Sequence, residues 1–162
     1  MNPAEWLQRT ATRDPDRPAL FSGETQRATY GAFARSAAAI GAALLERGIG
    51  PETQVAVYMS NRVEYLEALY GIWFTGAAAV PINSKLHPKE VEWIARDADV
   101  ALVLSDDAHA QDLAPVLDGT PQVISVDGPD FASMRQSMPM TTPVTRDTDD
   151  LLWLFYTSGT TG

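Results

Sequence analysis

Between residues 55 and 126, short apolar runs alternate with stretches of helical periodicity, and this alternation limits the possible folds more than any other feature of the chain. Residues 55–59, 78–82, 100–104 and 123–126 read as strands, being short, β-branched or alanine-rich and bounded by turn residues. Between them the spacing predicts a helix over 62–75, capped by Asn61 and stopped by Gly76, and a helix over 88–97 opened by Pro88. A third helix, over 107–117, is expected to be disturbed by Pro115. Strands separated by helices of this length pair in parallel through right-handed crossovers, which place helices on both faces of the sheet. The expected fold class is therefore α/β, a mainly parallel sheet flanked by helices. The units share no residue pattern, so the rhythm reflects fold class and is not a repeat.

The flanks are less regular. Asn2 and Pro3 form a cap and first-turn pair for a short helix that ends near Asp14 and Pro15, with Trp6, Leu7 and Thr10 as its packing side. Residues 19–21 and 26–29 read as a small hairpin around Ser22, Gly23 and Glu24. Thr29 then caps a helix over 30–47 that carries Phe33, Ala37, Ile40, Ala43 and Leu44 on one side. Gly48 sits where a left-handed residue ends it. The alanines of this helix suggest close packing on the sheet. Residues 137–150, SMPMTTPVTRDTDD, lose periodicity and read as a surface connector. The expected division is residues 1–50 as helices and hairpin, 51–136 as the parallel α/β subdomain, 137–150 as connector and 151–162 as the start of a further subdomain.

Charge and composition exclude several partners. A net charge of -9 opposes general affinity for nucleic acid or anionic membrane. There is no cysteine, hence no disulfide framework, which fits a cytoplasmic location. The N-terminus lacks the basic start and apolar core of a secretory signal. The uncharged run 68–82 is interrupted by Gly71, Gly76 and Pro81 and falls short of the ~20 apolar residues that a membrane span needs. His87 and His109 lie far apart in polar settings, so surface or helix-end roles are expected in preference to a metal site or catalytic base.

The last stretch carries the chemistry. Residues 151–156, LLWLFY, read as a buried strand, and they run directly into Thr157, Ser158, Gly159, Thr160, Thr161 and Gly162. Glycines let backbone N–H groups turn toward an anion, and the hydroxyls add donors that also suit a phosphate-bound cation. The competing reading is an ordinary polar turn after a strand. The spacing is not that of the common phosphate loop, whose glycines lie further apart and precede a lysine.

Tyr156 to Gly162, Tyr-Thr-Ser-Gly-Thr-Thr-Gly, resembles position for position the first part of the signature of the adenylate-forming (AMP-binding) enzymes. These are the acyl-CoA synthetases, luciferases and peptide-synthetase adenylation domains. The resemblance extends to Ala28-Thr29-Tyr30, to the strand at 55–59 and to FTGAAAVPIN at 74–83, where Gly76, Pro81 and Asn83 match and Phe74 and Thr75 depart from the usual lysine and alanine. Asn83, followed by His87-Pro88-Lys89-Glu90, looks more like the acyl-CoA synthetase branch than the peptide-synthetase branch.

The resemblance implies part of the large N-terminal domain of an AMP-forming carboxylate–CoA ligase. In such an enzyme a carboxylate attacks ATP to give an acyl adenylate and pyrophosphate, and coenzyme A then takes the acyl group. By motif match, Thr157, Ser158, Gly159, Thr160, Thr161 and Gly162 belong to the loop that cradles the β- and γ-phosphates, with Mg2+ as counter-ion; no catalytic acid or base is expected among these residues. The expected partners are the remainder of the same enzyme and a carboxylic acid, with a homodimer allowed. A luciferase-like or peptide-synthetase enzyme, or a free-standing non-catalytic α/β module, are the alternatives.

Overall fold

In the computed structural model, residues 1–157 are described. The order of elements is α1 (Pro3–Arg13), β1 (Pro18–Ser22), β2 (Thr25–Thr29), α2 (Tyr30–Glu46), β3 (Gln54–Tyr58), α3 (Val63–Phe74), β4 (Ala78–Pro81), α4 (Pro88–Asp97), β5 (Val100–Ser105), α5 (Asp107–Leu117), β6 (Gln122–Ser125) and α6 (Pro129–Met134). β1 and β2 form an antiparallel hairpin, and β4-β3-β5-β6 form a sheet in which each neighbouring pair is parallel. The alternation of the sequence is thus realised as an open parallel α/β sheet.

Alternate residues of the strands feed two separate cores, as the two-residue period of a strand requires. Val55, Val57, Leu102 and Leu104 pack with α1, α2, α3 and α6 on one face. Ala56, Tyr58, Val80 and Val103 pack with Val91 and Ile94 of α4 and with Leu113 and Leu117 of α5 on the other. The first face is covered twice, because α3 lies on the strands and α2 lies on α3.

That second layer corrects the expectation that the alanine-rich helix sits on the sheet. A Cβ on Gly41 of α2 would lie 2.7 Å from Phe74 Cβ, and one on Gly71 of α3 would lie 2.6 Å from Ile40 Cγ2. The small residues therefore allow close helix-on-helix approach, with the backbone of one helix against side chains of the other.

Three further expectations are corrected. Asn61 does not cap α3; Arg62 occupies that position in extended conformation without a side-chain capping bond. Its guanidinium is committed to Glu64 and Asp127. α5 runs through Pro115 to Leu117, the bounds expected for it, with Leu113 and Leu117 on either side of the proline buried. The packing side of α1 is Ala4 and Leu7, whereas Trp6 points outward and is exposed. Residues 151–156 do not form a buried strand: a single bridge joins Trp153 to Ala79 of β4, and Leu151, Trp153 and Phe155 are exposed. α6 is an element that periodicity did not reveal, since six residues are too few to show a helical pattern.

The caps at Asn2 and Thr29 form as expected, and Gly48 takes the left-handed conformation after α2. Asn2 also does more than cap. Its buried Nδ2 donates to Trp73 O at 2.6 Å and to Val144 O at 2.8 Å, tying the start of α1 to the end of α3 and to the 137–150 connector. The connector is held further by Val144 N–H to Phe74 O at 2.9 Å and by Met140 N–H to Ala38 O at 3.2 Å.

Candidate functional site

From β3 the chain moves through α3 to β4 on one side, and then returns past β3 to place β5 on the other. This reversal of strand order opens a crevice at the carboxyl ends of β3 and β5, the usual position for a ligand in an open α/β sheet. Here protein atoms fill it. Asp106, the N-cap of α5, accepts Ser60 N–H at 3.0 Å on Oδ2 and His109 N–H at 3.0 Å on Oδ1. His109 Nδ1 lies 2.6 Å from the same Oδ1, and Nε2 lies 3.0 Å from Ser84 O. The Tyr58 ring meets the imidazole edge-on at 4.6 Å, and its hydroxyl donates to Leu86 O at 2.9 Å.

Electrostatics follow from these contacts. Burial alone would raise the Asp106 carboxyl, but the Ser60 N–H, the His109 N–H and the His109 ring outweigh it and hold the carboxyl down at about 2. Burial lowers the His109 ring, and the Asp106 carboxylate and Ser84 carbonyl more than offset that, so the net direction is upward. Burial, then Asp112, Asp106 and Glu90, push the Tyr58 phenol up. Asp106 therefore remains ionised with its acceptor capacity spent on the protein, which makes it a structural anion and a poor general base. His109 is indeed at a helix end, but it is largely enclosed, contrary to a surface role.

At the same rim Arg62 grips both oxygens of Asp127, at 3.1 and 2.7 Å, and Asp127 also accepts Asp107 N–H at 3.0 Å. Ser125 Oγ donates to Asp107 Oδ1 at 2.5 Å. These bonds join the loops after β3, β5 and β6 and leave their polar groups occupied.

The open site lies at the outer edge of β4. Ala79 N–H donates to Leu152 O at 3.0 Å, and Leu154 N–H donates to Ala79 O at 2.9 Å, so residues 152–154 run parallel to β4. Trp73 Nε1 also donates to Leu152 O, at 2.9 Å. Beyond this pairing the chain continues through Tyr156 to Thr157. Tyr156 anchors the step before it: its hydroxyl donates to Asp97 Oδ2 at 2.6 Å, and its ring meets Trp93 edge-on at 5.8 Å. Burial and the Asp97 carboxylate push this phenol up to about 12, so it acts as a neutral donor.

Tyr156 and Thr157 line one wall of a cavity of about 330 Å³, with Leu86, Trp93 and Ile94 supplying its apolar surface and Lys89 and Glu90 its charges. Of the loop residues expected from sequence, Thr157 is at this cavity; Ser158, Gly159, Thr160, Thr161 and Gly162 lie outside the described residues. His87 caps α4 through Nδ1, which accepts Lys89 N–H at 3.2 Å, while Glu90 accepts His87 N–H at 2.9 Å. That capping box fixes the angle of the helix that bears Lys89, Glu90 and Trp93. Among the described residues no group of three or more His, Asp or Glu converges to hold a metal. A phosphate-bound Mg2+ would take much of its coordination from the nucleotide and water. Among the described residues no helix is long and apolar enough to cross a membrane.

A parallel α/β sheet that passes an apolar segment along its β4 edge into a hydroxyl- and glycine-rich stretch has the architecture of the N-terminal domain of adenylate-forming enzymes. Residues 7–162 match the AMP-binding enzyme family, and the chain belongs to it. It is similar to the N-terminal domain of FACL13 from Mycobacterium tuberculosis, with a TM-score of 0.87 and 30% identity over 98% of this chain and 42% of that one. The 4-hydroxybutyrate–CoA ligase 2 of Metallosphaera sedula is 28% identical over 100% of this chain and 33% of its own length. A linear gramicidin synthase polypeptide of Brevibacillus parabrevis is 35% identical over 91% of this chain and 3% of its own length. The chain thus spans about a third, or less, of the curated relatives it matches.

Proposed function

We propose that this chain supplies the N-terminal part of the ATP site of an AMP-forming carboxylate–CoA ligase of the cytoplasm, acting with chain of the kind that makes up the rest of its relatives. The observation that carries the reading is the parallel run of residues 152–154 along β4 together with Tyr156 and Thr157 at the cavity beside α4, followed in sequence by Ser158-Gly159-Thr160-Thr161-Gly162. Bringing a carboxylate to a polyphosphate sets like charges together. The site must therefore supply donors where charge accumulates, and hydroxyls and glycine N–H groups do so without themselves titrating. Thr157, Ser158, Thr160 and Thr161 hold phosphate oxygens in this reading, Gly159 and Gly162 allow the backbone to approach them, and Mg2+ when bound supplies further charge neutralisation. Coenzyme A is the acyl acceptor, favoured by Asn83 and by the CoA ligases among the relatives.

The identity to the linear gramicidin synthase supports a second reading, a peptide-synthetase adenylation domain. It shares the adenylate-forming step and differs in the acceptor. In the whole protein, carboxylate-dependent exchange of pyrophosphate into ATP tests the shared step, and consumption of free coenzyme A separates the two readings. Thr160→Val or Thr161→Val keeps the shape and removes one hydroxyl, and is expected to lower kcat/KM for ATP by roughly 10- to 150-fold. Unchanged ATP kinetics in both variants would overturn the phosphate role.

A further inference from the structure

His109 is enclosed at the strand-order reversal by groups that the phosphate reading does not use. Its two ring nitrogens face two oxygens, Asp106 Oδ1 at 2.6 Å and Ser84 O at 3.0 Å. A peptide carbonyl only accepts, and the Asp106 carboxylate, already receiving the Ser60 and His109 backbone N–H groups, only accepts as well. A neutral imidazole carries one N–H and would set a lone pair against one of these oxygens, whereas an imidazolium satisfies both. The titratable groups facing the ring are acidic or phenolic: Asp106 and Asp112 from the start and body of α5, and Tyr58 from β3, on which Glu90 of α4 also acts.

The Ser84 contact reaches across the fold. Ser84 belongs to the loop between β4 and α4, which has its own turn, Leu86 N–H to Asn83 O at 3.0 Å and Lys85 N–H to Asn83 Oδ1 at 3.0 Å. Tyr58 holds the same loop through Leu86 O. Leu86, Lys89 and Glu90 then form one wall of the cavity beside Thr157.

We propose that His109 is a protonation-dependent latch: as an imidazolium it ties residues 83–87 to the N-terminal end of α5, and loss of its second proton frees that loop and the cavity wall it carries. The inference concerns the loop itself and does not depend on what the cavity binds. Because the folded ring is raised above its ordinary value of 6.5, the latch contributes fully below that value and is lost as pH rises through the folded value.

The test is histidine ring 15N NMR together with amide hydrogen exchange on the whole protein across pH 6 to 9. The ring of His109 is expected to carry a proton on both nitrogens at the acid end. Across its titration, protection of the amides of residues 83–87 should fall relative to those of α2. His109→Gln should abolish that pH-dependent step. If the variant does not fold, the unsubstituted protein still decides: a ring with a single N–H at pH 6, or a ring that titrates while protection of 83–87 stays level with α2, overturns the latch.

Discussion

β3 and the segment 151–156 are both short apolar stretches beside β4, yet they have opposite fates. β3, Gln-Val-Ala-Val-Tyr, is hydrogen-bonded on both edges, by β4 and β5, and covered on both faces, so that Val55 to Tyr58 are all buried. The 151–156 segment, Leu-Leu-Trp-Leu-Phe-Tyr, is the bulkier and more apolar of the two. It makes one bridge to the free edge of β4 and leaves Leu151 at 46%, Trp153 at 44% and Phe155 at 60% exposure. Side chains therefore do not determine their own burial; it depends on whether both edges and both faces of the strand are supplied with neighbours. For β3 the neighbours are strands and helices from the same stretch of chain, whereas among the described residues the outer side of 151–156 has none.

The contrast is open to measurement, beginning with the largest effect. Val57→Asp places a charge between β4, β5 and α3 with no partner and is expected to cost more than ~4 kcal/mol, abolishing the cooperative melt. The carboxyl end of β3 is pinned by the Ser60 N–H to Asp106 bond, so acid should weaken it. With the folded carboxyl at about 2 and an ordinary value of 3.8, its contribution of roughly 2 kcal/mol is complete above 3.8 and is lost as pH falls toward 2. In denaturant melts Asp106→Asn should flatten that part of the acid dependence. Trp73→Phe removes the indole donor to Leu152 O and should cost about 1 kcal/mol, with faster amide exchange at Leu154 as its local signature. Phe155→Ser is expected to change stability by less than about 0.5 kcal/mol. A loss of several kcal/mol there would show that another part of the protein covers the segment, and the contrast with β3 would fail.

Much of the sheet was legible because its information is local. The helices at 88–97 and 107–117 have the bounds that the sequence predicts, Pro88 opening the first of them. The layer order was not legible: alanines at 37, 38, 39 and 43 signal close approach, but periodicity cannot say whether a sheet or another helix approaches. The 151–156 segment misled for the reason given by the contrast with β3, apolarity being visible in sequence and its cover not. At the site, Tyr156 and Thr157 were visible through their motif, whereas the Asp106–His109 cluster was not. Its partners Ser60 and Ser84 lie 46 and 25 residues away, and only the crossing of the chain between β4 and β5 brings them together.

The Asn2 clasp has a consequence for the order in which the chain can assemble during synthesis. One side-chain amide near the start reaches a carbonyl 71 residues later and another 142 residues later. As the polypeptide leaves the ribosome, α1 can acquire helical turns early, but its second anchor does not exist until Val144 has emerged. At ~5–20 residues per second that interval lasts roughly 7 to 28 s. Until Trp73 emerges the nascent helix has neither anchor, and from then until Val144 it has only one, while Ala4 and Leu7 await closure of the layer above α3. Translation pausing before residue 144 would therefore prolong the exposure of that apolar face, and a chaperone that binds nascent chains would find its target there before the connector closes over it.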